Sequence, residues 1–444
     1  MANQVNPPRG MRDFLPEEKA RRERVLAVIR DTYRAHGFDE IETPVVEDSS
    51  RLHAGLGGDN EKLAFGILKR GLTREDLAAA SDPLDLADLG LRFDLTVPLT
   101  RFYATHRAAL PSVFRAIQIG SVWRAERPQK GRYRQFVQCD IDIIGDATGL
   151  AEAELIVASL ATFDALGLGG VTMRINDRRI LTGLLDHLGF PAAEHASVLV
   201  TLDKLDKIGP DGVVAELEAN GAAANPDNTD AVAALRAYLA TTGVGRPQSV
   251  DPVPYGERQI RAALPEGFDS PAIADLVALG ENVAGALTAR AGGAGNGGLP
   301  LAFDPFLVRG MGYYTGAIFE AVHPSAGYSL GGGGRYDGMI GRFLGTEVPA
   351  TGFSIGFERI VDLITLGDDD TADAVVLLYD SDADPARLVA LKAELIGLGR
   401  RVRLERAPRN VRGLLDSLAA SGYHQFAHVG DAATAADLAF KPLG

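Results

Sequence analysis

At 444 residues the chain is long enough for two or three domains and can bury a sizeable core. Hydrophobic residues make up 46% and charged residues 23%, an ordinary globular profile, and the single cysteine, Cys139, excludes an internal disulfide or a multi-cysteine zinc site. The net charge of −14 argues against a general nucleic-acid coat, although local contacts with RNA depend on where the charge lies.

MANQVNPPRG at the N-terminus has no apolar stretch of the targeting kind, and no apolar run reaches the ~18 residues of a membrane span. A reducing cytoplasm is the simplest compartment. Pro16 to Gly37 carries a helix signature: proline near the first turn, Glu17 and Glu18 behind it, glycine as the stop. Val25, Ile29 and Tyr33 fall on one helical face. A strand from Asp39 to Thr43 follows and is closed by Pro44. Residues 49–90 are uneven, with helix and loop in the Ala/Asp/Leu-rich piece 74–90. LRFDLTVPLTRFYA (91–104) places Arg92, Asp94 and Thr96 at alternate positions, which predicts a strand ended by Pro98 and then a helix through Thr105.

The next stretch, 114–145, reads as two strands joined by a long basic turn. Val137, Cys139, Ile141 and Ile143 share one face by the two-residue period and suit a core. Phe136, Gln138, Asp140 and Asp142 share the other, a polar row that needs water or a polar ligand. On the outgoing strand Gln118, Arg124 and Glu126 share a face with Gly120 and Val122. Residues 124–134 hold five basic side chains and one acid, so a ligand anionic at one end fits; a surface hairpin with a solvated tip is the alternative. A helix over 148–166 follows.

From about 175 to 300 the spacing is helical and no catalytic grouping occurs; this predicts a mainly helical insertion closed by AGGAGNGG (291–298). Strand patterns return at LAFDPFLVRGMGYYTGAIFEAV. Gly331 to Gly334 would let backbone approach a ligand or simply make a loose turn, and the loop is the better-supported reading. Arg359 follows on a helix. LGDDDTADA (366–374) is a linker. The remainder alternates strand and helix and ends in strands QFAHVG and LAFKPL, a small α/β domain. Its basic island comprises Arg400, Arg401, Arg403, Arg406, Arg409 and Arg412, against Glu405 alone.

RGMRDFLPEE, EIETP, LRFDLTVPLTR, RAERPQKGRYRQF, QCDIDIIG, LVRGMGYYTG, GGGGRYDG and ATGFSIGFERI occur here in the order found in class II histidyl-tRNA synthetases, and the chain resembles that family over about residues 8–360. LVRGMGYYTG and GGGGRYDG are the most specific segments. The resemblance implies an α+β fold: a class II synthetase-type antiparallel sheet flanked by helices, a mainly helical insertion and a small C-terminal α/β domain. The implied boundaries are 1–174 and 300–365 for the two parts of the catalytic domain, 175–299 for the insertion, and 371–444 for an anticodon-binding-like domain. Homodimerisation through about 17–44 is implied as well.

The activity implied is that of a histidine-tRNA ligase, which joins L-histidine to ATP and passes histidine from the adenylate to the 3′ end of tRNA(His). Such chemistry needs alignment and stabilisation of phosphate charge, a task for arginine forks. By matching motif positions, Arg124 grips the α-phosphate, Arg309 sits beside the α-phosphate and the histidine carboxylate, and Arg359 meets the distal phosphates. Phe136 stacks on adenine, with Glu126 and Arg132 nearby. Mg²⁺ is implied on the β- and γ-phosphates, with no metal site from protein alone. Asp94, Leu95, Thr96 and Gln138 hold the substrate's ammonium and backbone, and Asp142, Tyr313 and Tyr314 read the imidazole. Arg127 and Gln129 face the acceptor end of tRNA, and Arg403 and Arg406 the anticodon stem-loop. Two departures stand out. Gly312 replaces the family's usual aspartate, and the chain stops at Lys441-Pro-Leu-Gly where relatives continue, which predicts altered anticodon contact. The rival is the synthetase-like regulatory subunit of ATP phosphoribosyltransferase; retention of Arg124, Glu126, Arg309 and Arg359 favours the enzyme.

Overall fold

The computed structural model describes residues 5–54, 62–128, 132–219, 226–241, 255–290, 299–309, 312–364 and 374–443. Chain contacts divide it into two compact units, Met1–Arg12 with Leu26–Ile364, and Asp13–Val25 with Thr365–Gly444.

The first helix, Pro16–Ala35, forms as its caps predict, and Val25, Ile29 and Tyr33 are fully buried. Strand β1 (Asp39–Glu40) is shorter than the expected 39–43, because only these two residues pair with a neighbour. Strands β2 (Val46–Asp48), β3 (Phe65–Leu68) and β4 (Ala87–Leu91) make a small antiparallel sheet in the order β2-β4-β3.

The strand expected through Arg92, Asp94 and Thr96 ends at Leu91. Asp94 Oδ1 instead accepts from the Val97 N–H (3.1 Å), and a helix runs Thr96–His106 with Pro98 in its first turn. Proline has no N–H to lose there, so it starts this helix rather than stopping a strand.

The predicted hairpin is present as β5 (Phe114–Trp123) and β6 (Gln135–Ile144), paired antiparallel in unbroken register from Phe114↔Ile144 to Trp123↔Gln135. Cys139, Ile141 and Ile143 are fully buried on the core side, where the helix Leu150–Ala165 packs. Further on come β7 (Thr172–Asp177), β8 (Leu301–Phe303), β9 (Ala317–Val322), β10 (Gly331–Arg335) and β11 (Ala350–Gly356). With β1, β5 and β6 they form one sheet in the order β1-β5-β6-β11-β10-β9-β7-β8. It is antiparallel from β5 to β7, and the edge strands β1 and β8 pair parallel.

Among the described residues the segment between β7 and β8 is helical, from Arg178–Leu188 to Pro271–Arg290, as the helical spacing predicted; residue 175, the expected start of the insertion, falls within β7. Pro271–Arg290 has the length and hydropathy of a membrane span, but Ala272, Ile273, Leu276, Leu279 and Val283 are buried and it packs along Leu150–Ala165, as a core helix does. AGGAGNGG (291–298) and most of LGDDDTADA lie outside the described residues.

The loose turn read into Gly331–Gly334 is wrong. These glycines are an interior strand hydrogen-bonded on both sides. A side chain at Gly333 would run into the Gly352 carbonyl of the adjacent strand, so glycine is required for the sheet to close there.

The second unit contains β12 (Ala374–Tyr379), β13 (Arg401–Arg406), β14 (Gln425–His428) and β15 (Lys441–Pro442), ordered β13-β12-β14-β15, with helices Pro385–Gly397 and Val411–Ala420. Valines and leucines of β12 alternate between two apolar clusters, Val375 and Leu377 in one, Val376 and Leu378 in the other. Of the strand expected in LAFKPL only Lys441–Pro442 pairs.

Candidate active site

Sheet register builds the site. Gln118 on β5 lies opposite Asp140 on β6, Asp140 opposite Ser354, Ser354 opposite Gly332, Gly332 opposite Glu320, and Glu320 opposite Arg174 on β7. Paired residues share a face, so these six positions form one row across the sheet. A cavity of about 220 Å³ opens over this face. Gly332 is the gap in the row: a Cβ built there would stand 2.5 Å from the guanidinium carbon of Arg309, which lies across it.

One part of the cavity is acidic. Asp94, Asp140 and Asp142 all line it and are at most 4% exposed. Burial, with Asp142 beside it, pushes the Asp140 carboxyl well above the usual carboxylate range. Burial raises Asp142 to about 7, although the Tyr336 hydroxyl donates to its Oδ1 (2.5 Å) and opposes the rise. Gln138 donates through Nε2 to Ser354 Oγ (3.0 Å). Gln138 Oε1 and Asp140 Oδ1 are buried with no hydrogen-bond partner among the described residues. Acceptors left so are costly, and a cationic donor in the cavity relieves them.

The other part is basic and aromatic. Arg124 donates through Nε to the Phe93 carbonyl (2.9 Å), and its guanidinium carbon stands 5.1 Å from the centre of the Phe136 ring. Arg309 Nη1 donates to Glu320 Oε1 (2.9 Å). Burial, the largest single influence, would lower its pKa, yet Glu320 together with Tyr314, Tyr313 and Asp203 outweighs it and the value is raised. Arg359 Nη1 donates to the Ser329 carbonyl (2.7 Å); burial, then the charges of Arg132 and Arg309, pull its pKa down. Crowded cations of this kind suit an anion with several charges. Tyr313 and Tyr314 also line the cavity, their rings 4.7 Å apart, with Tyr313 edge-on to Tyr336.

The cavity therefore gathers Asp94, Thr96, Arg124, Phe136, Gln138, Asp142, Arg309, Tyr313, Tyr314 and Arg359. Leu95 is not among them: its side chain is 1% exposed in the core and its carbonyl accepts from Gln118 Nε2 (3.0 Å). Glu126 and Arg132 also lie off the lining and pair with each other at 3.5 Å. Arg127 is exposed, and Gln129 lies outside the described residues. Arg403 and Arg406 are exposed on β13, the edge strand of the second unit, where Arg403 Nε meets Glu405 Oε1 at 2.5 Å. At Gly312 a Cβ would meet nothing within 4 Å, so space does not dictate glycine there. Asp140, in the polar row of β6 that strand alternation marks, lines the cavity as well, and so do Ser354 and Tyr336, the latter within GGGGRYDG.

The sequence profile of the histidyl-tRNA synthetase family matches residues 10–360. A histidine–tRNA ligase of Leifsonia xyli subsp. xyli is 60% identical over 446 aligned residues, covering 100% of this chain and 99% of that one. A probable histidine–tRNA ligase of Tropheryma whipplei is 45% identical, with 96% of each chain covered. Among solved structures, a histidyl-tRNA synthetase from Nostoc sp. PCC 7120 superposes with a TM-score of 0.71 at 26% identity, covering 99% of this chain and 95% of that one. A Bacillus halodurans protein described as an ATP phosphoribosyltransferase regulatory subunit/histidyl-tRNA synthetase shares the fold, with a TM-score of 0.70 at 21% identity, covering 96% of this chain and 99% of that one.

Proposed function

The chain belongs to the histidyl-tRNA synthetase family and charges tRNA(His) with histidine at the expense of ATP; from that premise we propose how its residues divide the work. One observation carries the assignment. Three arginines, Arg124, Arg309 and Arg359, share a cavity with three buried carboxylates and Gln138. A zwitterion bearing a polar ring fits the acidic part, and a polyphosphate fits the basic part.

The carboxylate of histidine is already ionised and attacks the α-phosphorus directly; the bond to the bridging oxygen breaks and pyrophosphate leaves. Arg124 and Arg309 hold the oxygens on which charge builds, and Arg359 takes the distal phosphates. Phe136, already against the Arg124 guanidinium, offers its ring to adenine. Asp94, Thr96 and Gln138 receive the ammonium. Asp142 accepts an imidazole N–H, and Tyr314 meets the opposite edge of the ring. A site built of buried polar groups rejects isosteres that leave them unpaired.

No group of three or more acidic, histidine or cysteine side chains converges as a metal site among the described residues. The donor set leaves the polyphosphate to supply the ligands for Mg²⁺, which when bound offsets charge on the β- and γ-phosphates. In the second step Arg127, with Gln129, is assigned to the acceptor end of tRNA, and Arg403 and Arg406 to its anticodon stem. A homodimer formed through about 17–44 rests on the family resemblance, and a cytoplasmic location on the single cysteine and the N-terminal composition. The division at 299 and 365 rests on the change in sequence pattern, with the first boundary moved from 174 to the end of β7 at Asp177.

Histidine-dependent ATP–pyrophosphate exchange tests the assignment. Exchange supported by histidine alone among amino acids, and lost in Arg309→Ala, supports it. Undiminished exchange in a folded Arg309→Ala protein removes Arg309 from the reaction.

A further inference from the structure

We propose that Arg174 is a positioning residue for Arg309, acting through the Glu320 carboxylate that both arginines share, and that Asp206 ties this pair to the helical insertion. The inference rests on the assignment of Arg309 to the α-phosphate.

Arg174 does not line the cavity. It stands on β7 directly opposite Glu320, one strand beyond the site, on the same face of the sheet. Each oxygen of Glu320 has its own arginine: Oε1 accepts from Arg309 Nη1 (2.9 Å) and Oε2 from Arg174 Nη1 (3.2 Å). A carboxylate held at both oxygens cannot rotate about its terminal bond without breaking one pairing. The orientation of Glu320, and through it that of Arg309 across Gly332, is thus set from behind by Arg174.

Arg174 is itself anchored. Its Nε donates to Asp304 Oδ2 (2.8 Å), its Nη2 pairs with the same oxygen, and Asp304 Oδ1 accepts from the Phe306 N–H (2.9 Å). The guanidinium fork therefore points at Glu320 from a fixed base, which an ammonium group could not do. The remaining contact runs outward. Nη1 also meets Asp206 Oδ2 at 3.2 Å, on the short helical turn of the insertion that begins at Leu205 and breaks at Gly209. The Asp206 side chain is 64% exposed while those of Arg174 and Asp304 are 9% and 11% exposed, so the network has a buried body and one solvent-facing end. A displacement of that turn changes what Arg174 holds.

The test is pyrophosphate exchange on the full-length protein, with kcat and the KM for histidine measured separately. Arg174→Gln should lower kcat about tenfold or more while the histidine KM moves less than about threefold, since a mis-set fork fails mainly in the transition state. Asp206→Asn should lower kcat in the same sense by about twofold to fivefold. Arg179→Gln, which severs the comparable pairs to Asp177 and Asp275 but touches neither Glu320 nor Arg309, should leave exchange unchanged. In an Arg309→Lys background, Arg174→Gln should cost little more, because the residue through which it acts is already altered.

A folded Arg174→Gln enzyme with kcat within about twofold of wild type overturns the proposal, as does an equal loss in Arg179→Gln or a fully multiplicative loss in the double variant. If Arg174→Gln does not fold, Arg174→Lys and the exposed Asp206→Asn decide by the same criteria. Full exchange in Arg309→Ala would bring down the assignment of Arg309 and this inference with it; an inactive Arg309→Ala beside a normal Arg174→Gln brings down the inference alone.

Discussion

Replacing Gly332 with alanine separates catalysis from folding in this enzyme. The added methyl would stand 2.5 Å from the guanidinium carbon of Arg309. Non-bonded carbons need about 3.5 Å, so the two must part by about 1 Å. The nearest atoms all belong to the far end of one side chain and none to backbone, so Arg309 yields and the strand stays. A misplacement of about 1 Å in a positioning group costs on the order of 10²-fold, or about 2.7 kcal/mol of transition-state stabilisation. The prediction is therefore a roughly 100-fold lower kcat for pyrophosphate exchange with the unfolding midpoint nearly unchanged. Exchange within about threefold of wild type in a folded Gly332→Ala protein would show that Arg309 is not held across that glycine during the reaction.

Gly333→Ala should do the opposite: its methyl meets the backbone carbonyl of Gly352, and about 1–3 kcal/mol or more of stability should be lost in urea unfolding before activity is considered. Asp142→Asn bears on pH dependence. A carboxyl raised from 3.8 to about 7 in the folded protein keeps its proton where the unfolded chain has released it. Stability from this group is thus fully present below pH 3.8 and is lost as pH rises through about 7, by about 4 kcal/mol at most. Urea unfolding at pH 5 and pH 8 should show the variant more stable than wild type at pH 8, with the gap closing at pH 5, while histidine-dependent exchange is lost. Arg403→Ala with Arg406→Ala should leave pyrophosphate exchange intact and weaken tRNA charging, with the salt dependence of tRNA binding falling by about one for each phosphate contact removed.

The hairpin was legible because β6 has a core on one side and a cavity on the other, so Cys139, Ile141 and Ile143 alternate cleanly with Gln138, Asp140 and Asp142. The glycine strand was not. Four glycines carry no alternation and lack β propensity, and only the neighbouring strands reveal why they are needed. The 91–98 segment misled for a different reason. Arg92, Asp94 and Thr96 do alternate, but Asp94 turns back to the Val97 N–H and starts a helix, a local side-chain bond that outweighs a short alternating pattern. The family motifs name most of the residues that line the cavity, while Leu95, between Asp94 and Thr96, is buried in the core. The pairing of Arg174 with Glu320 joins strands 146 residues apart, and nothing local announces it.

The lone thiol makes the floor of the site observable from behind. Cys139 is fully enclosed on the reverse of the strand whose front carries Gln138 and Asp140, under the helix Leu150–Ala165. A thiol reagent can reach it only in molecules where that layer has opened, so the rate of labelling in native buffer is a clock for local opening of β6. Occupants that fasten the front of the strand slow the clock from the other side of the sheet. A protein with no engineered probe thereby reports when the floor of its cavity is held.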